Sequence, residues 1–232
     1  MKKMLTLIAI AMLLGVFCQS AIAAELSGSA SFEVKSKYVL GNGVELYGDP
    51  LTRTGFCLDL PKRMYFGFAA YRGFKGGGNT SEEYDFNIGI RNSFGIIDID
   101  SGIYYYDLNL PSGTDMLQPY VKLSRKVENF TPYIQVDIYA PTDEMVRDSK
   151  VRIRPGISHS FFGWGTKISQ CLNLFYEAKN NAPNPFGVHH AINFAWEMRK
   201  SLFLNISNEI FLPISDETDF QTVQGVGLSW KF

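Results

Sequence analysis

Charge is sparse in this chain: Lys, Arg, Asp and Glu together make up 19% of its 232 residues, where the surface of a soluble domain carries roughly 25–35%. That scarcity argues against an exterior covered by water. Long apolar runs are also missing, since no stretch after residue 24 approaches the ~20 residues of a spanning helix. Helical membrane crossing is thereby excluded. Basic clusters are absent as well. With a net charge of −1 and no Lys or Arg run interleaved with stacking aromatics, a nucleic-acid partner has no support.

Histidine and cysteine occur three times each, too rarely and too far apart for most site chemistry. Some barrels of this size resemble outer-membrane phospholipases, which carry a His and a Ser two positions apart on one face. Here His159 is followed at that spacing by Phe161 and His190 by Ile192, while Ser158 and Ser160 point to the face opposite His159. His189 and His190 point opposite ways and cannot chelate one ion together. Gly76-Gly77-Gly78 lacks the strand-to-helix context of a phosphate loop. No enzyme activity, metal or cofactor is expected. Cys57 and Cys171 fall on non-adjacent strands in the reading below, beyond the ~7 Å reach of a disulfide.

Aromatics are plentiful, at 14%, and the start of the chain reads as an export signal. Lys2 and Lys3 precede an apolar run from Met4 to Phe17, and Ala21-Ile22-Ala23 supplies small residues for cleavage. The expected division is a secretory leader over 1–23 and one domain over 24–232. Phe17 precedes Cys18 where a lipid-attachment signal would need Gly, Ala or Ser. An exported, aromatic-rich chain with little charge and no membrane helix has one common solution in lipid, a closed β-barrel.

From Ser27 onward the side chains alternate with period two. Phe86, Ile88 and Ile90 alternate with Asp85, Asn87, Gly89 and Arg91; Ile134, Val136 and Ile138 alternate with Tyr133, Gln135, Asp137 and Tyr139. Such alternation puts each set on its own face of a strand. Strands are predicted over 28–40, 53–60, 64–74, 83–93, 96–108, 116–126, 131–140, 150–161, 165–178, 187–199, 202–213 and 221–232. These twelve suit an all-β, transmembrane, antiparallel up-and-down barrel, with ten or fourteen as the neighbouring counts. Long and short connections alternate between them, as on the outer and periplasmic ends of such a barrel. Tyr38, Phe74, Tyr84, Tyr105, Phe161, Tyr176, Trp196 and Trp230 fall near strand ends in the apolar set, where interfacial girdles sit.

With the apolar set facing lipid, the polar set fills the lumen. The pore-lining candidates are Asp85, Asp98 and Asp100, then Lys122, Lys126, Arg152 and Arg154, with Asp137 and the tyrosines Tyr104, Tyr106, Tyr120 and Tyr133. Glu33, Lys35, Arg53 and Glu209 share the same face. The acidic group lies on the fourth and fifth strands and the basic group on the sixth and eighth, an arrangement that would set a transverse field across a narrow pore. Two readings stay open: these charges line a path for solutes, or they pair with one another and leave little room.

The final residues Gly227, Trp230 and Phe232 match an outer-membrane insertion signal, with Gly225 where a polar residue is usual. This makes the barrel-assembly machinery a partner through the last strand, alongside the lipid itself. Further likeness lies in Lys37-Tyr38-Val39-Leu40-Gly41, Asp49-Pro50-Leu51, Tyr65-Phe66-Gly67, and Tyr84 to Leu108 with Gly89, Gly95, Gly102 and Tyr104-Tyr105-Tyr106. In these stretches the chain resembles the TorF-type porin family, with Leu40 where that family has arginine. The resemblance implies a small Gram-negative outer-membrane barrel that passes solutes. The functional expectation is a porin-like channel for passive diffusion of small hydrophilic solutes. The alternative is a non-conducting structural or surface-interaction barrel.

Overall fold

The computed structural model describes residues 27–39, 45–74, 82–109, 115–142, 149–163, 165–178, 186–215 and 219–232. The predicted leader lies outside them, as do parts of the long connections. The chain forms β1 (Ser27–Lys35), β2 (Tyr38–Val39), β3 (Glu45–Tyr47), β4 (Leu51–Asp59), β5 (Met64–Gly73), β6 (Glu82–Phe94) and β7 (Ile97–Asn109). It continues with β8 (Met116–Ser124), β9 (Phe130–Pro141), β10 (Lys150–Gly163), β11 (Thr166–Ala178), β12 (Phe186–Arg199), β13 (Leu202–Pro213) and β14 (Gln221–Lys231).

All but β2 and β3 pair with their neighbours in one closed antiparallel barrel of twelve strands. The seam is β1 against β14, in register from Ser29 opposite Lys231 to Lys35 opposite Gly225. Closure leaves no edge, so every barrel strand is paired on both sides within the wall, as hydrocarbon surroundings favour. Short turns gather at the end that holds both termini of the barrel. Gly95 (φ +61°) and Gly165 (φ +71°) occupy the left-handed positions of two of these turns.

Burial runs inside out relative to a soluble protein. Glu83 and Asp137 are 0% exposed, whereas Phe32, Ile134 and Ile138 are 48%, 43% and 44% exposed. Apolar side chains therefore form the outer wall, and the polar set forms the inside. Such an exterior is stable against lipid, not against water.

The first strand departs from its predicted span. β1 stops at Lys35, because Ser36 pairs with Gln224 differently from a ladder residue. The Ser36 N–H donates to the Gln224 carbonyl (2.8 Å), but the Gln224 N–H donates to Ser36 Oγ (3.0 Å). With its own carbonyl displaced from the ladder, the chain leaves the wall and forms the β2–β3 hairpin. Tyr38 consequently does not join the outer girdle. It stacks on the lumen residue Tyr71, ring centroids 4.7 Å apart. Lys126 also differs: β8 ends at Ser124, and the paired Val127 and Phe130 close a tight turn, leaving Lys126 exposed beside it.

Candidate functional site in the barrel lumen

Large inward side chains stand opposite small ones on adjacent strands. Tyr65 faces Gly89, Tyr120 faces Gly102, Tyr133 faces Gly156 and Phe175 faces Gly187. At Gly156 a β-carbon would come within 2.6 Å of the Tyr133 ring, and at Gly187 within 2.5 Å of the Phe175 ring. The missing side chain lets each ring lie along the wall instead of projecting across the lumen.

The charges of β8 to β11 close on their own neighbours. Arg154 donates through Nε to Asp137 Oδ2 (3.0 Å) and through Nη2 to Oδ1 (3.1 Å), and Gln118 and Gln135 also donate to Asp137. Tyr106 donates to Gln118 Oε1 (2.5 Å), extending the network to β7. Arg152 pairs with Glu177 at 2.8 Å, its guanidinium 4.4 Å from the Tyr139 ring centre. Lys122 lies over the Tyr133 ring at 4.2 Å.

Nearer the short turns, Asp100 accepts from Tyr65 (2.6 Å) and Tyr120 (3.0 Å), whose hydroxyls also touch each other, and Arg91 approaches it at 3.6 Å. Asp98, at the same end, accepts from Ser93 (2.6 Å). At the other end of β6, Glu83 accepts from Tyr38 (2.9 Å), next along the inner face from Asp85. The acidic and basic walls expected from sequence are thus extensively neutralised from within: Arg152, Arg154 and Asp100 each meet an opposite charge on an adjacent strand.

An open space begins further along β10 and β11, toward the short turns. A cavity of 570 Å³ is bounded on one side by Glu33, Lys35, Arg53 and Tyr71, and on the other by residues of β10 to β13, including Ser158, Ser160, Ser169 and Asn193. Lys35 bridges to Glu209 (2.9 Å), which also meets His189 Nε2 (3.3 Å). Arg53 Nε donates to the Tyr71 hydroxyl (3.1 Å). Glu33 accepts from Ser207 (2.8 Å).

Eleven of the twelve predicted pore-lining residues lie on the inner-facing parity of their strands, Lys126 being the exception, and none of the twelve lines this cavity. Sequence reasoning put Glu33, Lys35, Arg53 and Glu209 on the correct face but did not single them out. Ser158 and Ser160 were visible only as the residues opposite in direction to His159. His159 itself stacks outside with Phe130 and Phe161 at 4.4 and 5.1 Å, so the barrel wall separates it from both serines. Cys57 and Cys171 are free, on β4 and β11. At the seam, Gly227 is held against the Phe32 carbonyl, and the Trp230 and Phe232 rings meet at 5.2 Å on the outside.

No family model matches the chain, and neither does any curated relative. Among solved structures the barrel is similar to the KdgM porin, at 11% identity over 89% of this chain and 99% of that one, TM-score 0.58. It is similar to the NanC porin at 12% identity over 89% and 100%, TM-score 0.58. The COG4313 outer membrane channel from Pseudomonas putida F1 matches at 11% identity over 89% and 95%, TM-score 0.53.

The fold is that of an outer-membrane porin barrel. The apolar exterior and charged interior described above are what that fold requires, and a 570 Å³ lumenal cavity is of the size that holds small molecules, roughly 300–1,000 Å³.

Proposed function

We propose that this protein is a porin-like channel of the outer membrane that lets small hydrophilic solutes diffuse passively. The observation that carries the reading is the lumenal cavity between Glu33, Lys35, Arg53 and the serine-bearing strands β10 and β11. A solute crossing there exchanges part of its hydration for hydroxyls and charges fixed in the wall, which lowers the barrier set by the hydrocarbon. Asp137, Arg152 and Arg154, nearer the long-connection end of β9 and β10, act with the flattened tyrosines as a stiff part of the wall.

Likeness of fold supports the reading, since one of the similar structures is described as the KdgM porin in complex with disordered oligogalacturonate. The TorF-type resemblance supports it too, through Tyr65-Phe66-Gly67 and the Gly89, Gly102 and Tyr104-Tyr105-Tyr106 hairpin. Export by a leader over 1–23 and handling of β14 by the barrel-assembly machinery through Gly227, Trp230 and Phe232 belong to the same proposal. The test is single-channel recording of the refolded mature protein in a planar bilayer. Stable openings are expected; silence from protein shown to be folded and inserted removes the channel and leaves a barrel that works through its surface.

A further inference from the structure

We infer that the solutes this lumen favours are uncharged and polyhydroxylated, of the chemical class of small neutral sugars and polyols; the inference rests on the channel reading above. Its basis is the contrast between the two sides of the 570 Å³ cavity. One side carries charge, but balanced charge. Lys35 lies 2.9 Å from Glu209 and 4.0 Å from Glu33, and Arg53 stands directly opposite Glu33 across β1 and β4. Two cations and two carboxylates thus sit within one patch, and their fields cancel over short distances.

The side formed by β10 to β12 is uncharged and rich in groups that both donate and accept. Ser158, Ser160 and Ser169 line it with Asn193. Ser160 donates to Ser169 (3.2 Å) and Ser158 to the Thr131 carbonyl (3.4 Å), so their oxygens retain acceptor capacity toward the cavity. The Asn193 amide supplies two donors and an acceptor of its own.

A solute with net charge entering this space loses hydration and meets no unmatched opposite charge, so its desolvation stays uncompensated. A neutral polyol loses less and regains hydrogen bonds in both directions from the serine and asparagine side. Two further cations of the barrel, Arg152 and Arg154, are likewise closed, by Glu177 and Asp137.

The experiment is swelling of proteoliposomes in isosmotic glucose, gluconate or glucosamine, with reversal potentials in a KCl gradient on the same preparation. Glucose is expected to enter at least about threefold faster than either charged analogue, with potassium and chloride permeabilities within about twofold of each other. Replacing Glu209→Gln leaves Lys35 with only the more distant Glu33 and is expected to shift the reversal potential toward chloride. The double variant S158V/N193L is expected to lower the ratio of glucose flux to ion conductance severalfold. Entry of gluconate or glucosamine faster than glucose, or strongly ion-selective current, overturns the inference while the channel stands. No swelling and no current from inserted barrels takes the channel reading and the inference together.

Discussion

Tyr133 lies directly opposite Gly156 across β9 and β10, with its ring 2.6 Å from where a β-carbon on Gly156 would be. The ring is held from its other sides by the Lys122 ammonium at 4.2 Å and by Cys171 Sγ, 3.0 Å from its hydroxyl. Replacing Gly156→Val should push Tyr133 off the wall and into the lumen. The expected outcome is smaller single-channel conductance together with overpacking strain of about 1–3 kcal/mol. The double variant with Tyr133→Ala should recover conductance; if it does not, the glycine has no part in keeping the lumen open.

Arg154 is the counter-ion of a carboxylate that is 0% exposed. Arg154→Met should strand Asp137 and destabilise the barrel by about 3–5 kcal/mol, read as the urea midpoint of the heat-modifiable form. Adding Asp137→Asn should restore most of that loss, because the uncompensated charge is gone. Equal midpoints for the single and double variants would show that Gln118 and Gln135 satisfy Asp137 unaided.

Tyr38 anchors the β2–β3 hairpin through its stack on Tyr71 and its hydrogen bond to Glu83. Tyr38→Phe should remove only the hydrogen bond, about 0.5–1.5 kcal/mol, and raise open-channel noise. Tyr38→Ala should remove the stack as well and enlarge the current further. Identical traces from all three proteins would separate the hairpin from the solute path.

Phe232 exchanges two backbone hydrogen bonds with Gly28, at 2.9 and 3.1 Å, and packs its ring against Trp230. Deleting it should lower the yield of heat-modifiable barrel in outer-membrane fractions. Wild-type yield would contradict a role for this residue in assembly.

The wall was legible in the sequence because lipid imposes a strict period of two: β13 was predicted to its end residues and the other barrel strands closely, except β1, which was predicted to run on to 40 but stops at Lys35. The inward direction of Tyr104, Tyr106, Tyr120, Tyr133 and Tyr139 followed from the same parity. Parity says nothing of how far a side chain reaches. Tyr133 fills little of the lumen only because Gly156 sits opposite, a pairing set by register and not by either strand alone. In the same way, Arg154 reads as a free charge until register brings Asp137 beside it. Tyr38 misled for a different reason: its alternation continues that of β1, and only the side-chain hydrogen bond at Ser36 turns the chain inward.

Eleven of the twelve strand pairings in the barrel join elements that are neighbours along the chain, with β1 and β4 separated only by a hairpin. The twelfth joins Ser29 to Lys231. Loop-closure entropy for that contact spans nearly the whole chain, while each of the others costs little more than a turn. Folding can therefore proceed by cheap, local additions, yet the last step is a single long-range event that the local ones do not accelerate. Until it happens, β1 and β14 are two exposed strand edges. The slow step in this protein's life is thus the sealing of one seam, and a substitution there should change how long the open sheet persists more than how well the finished cylinder holds.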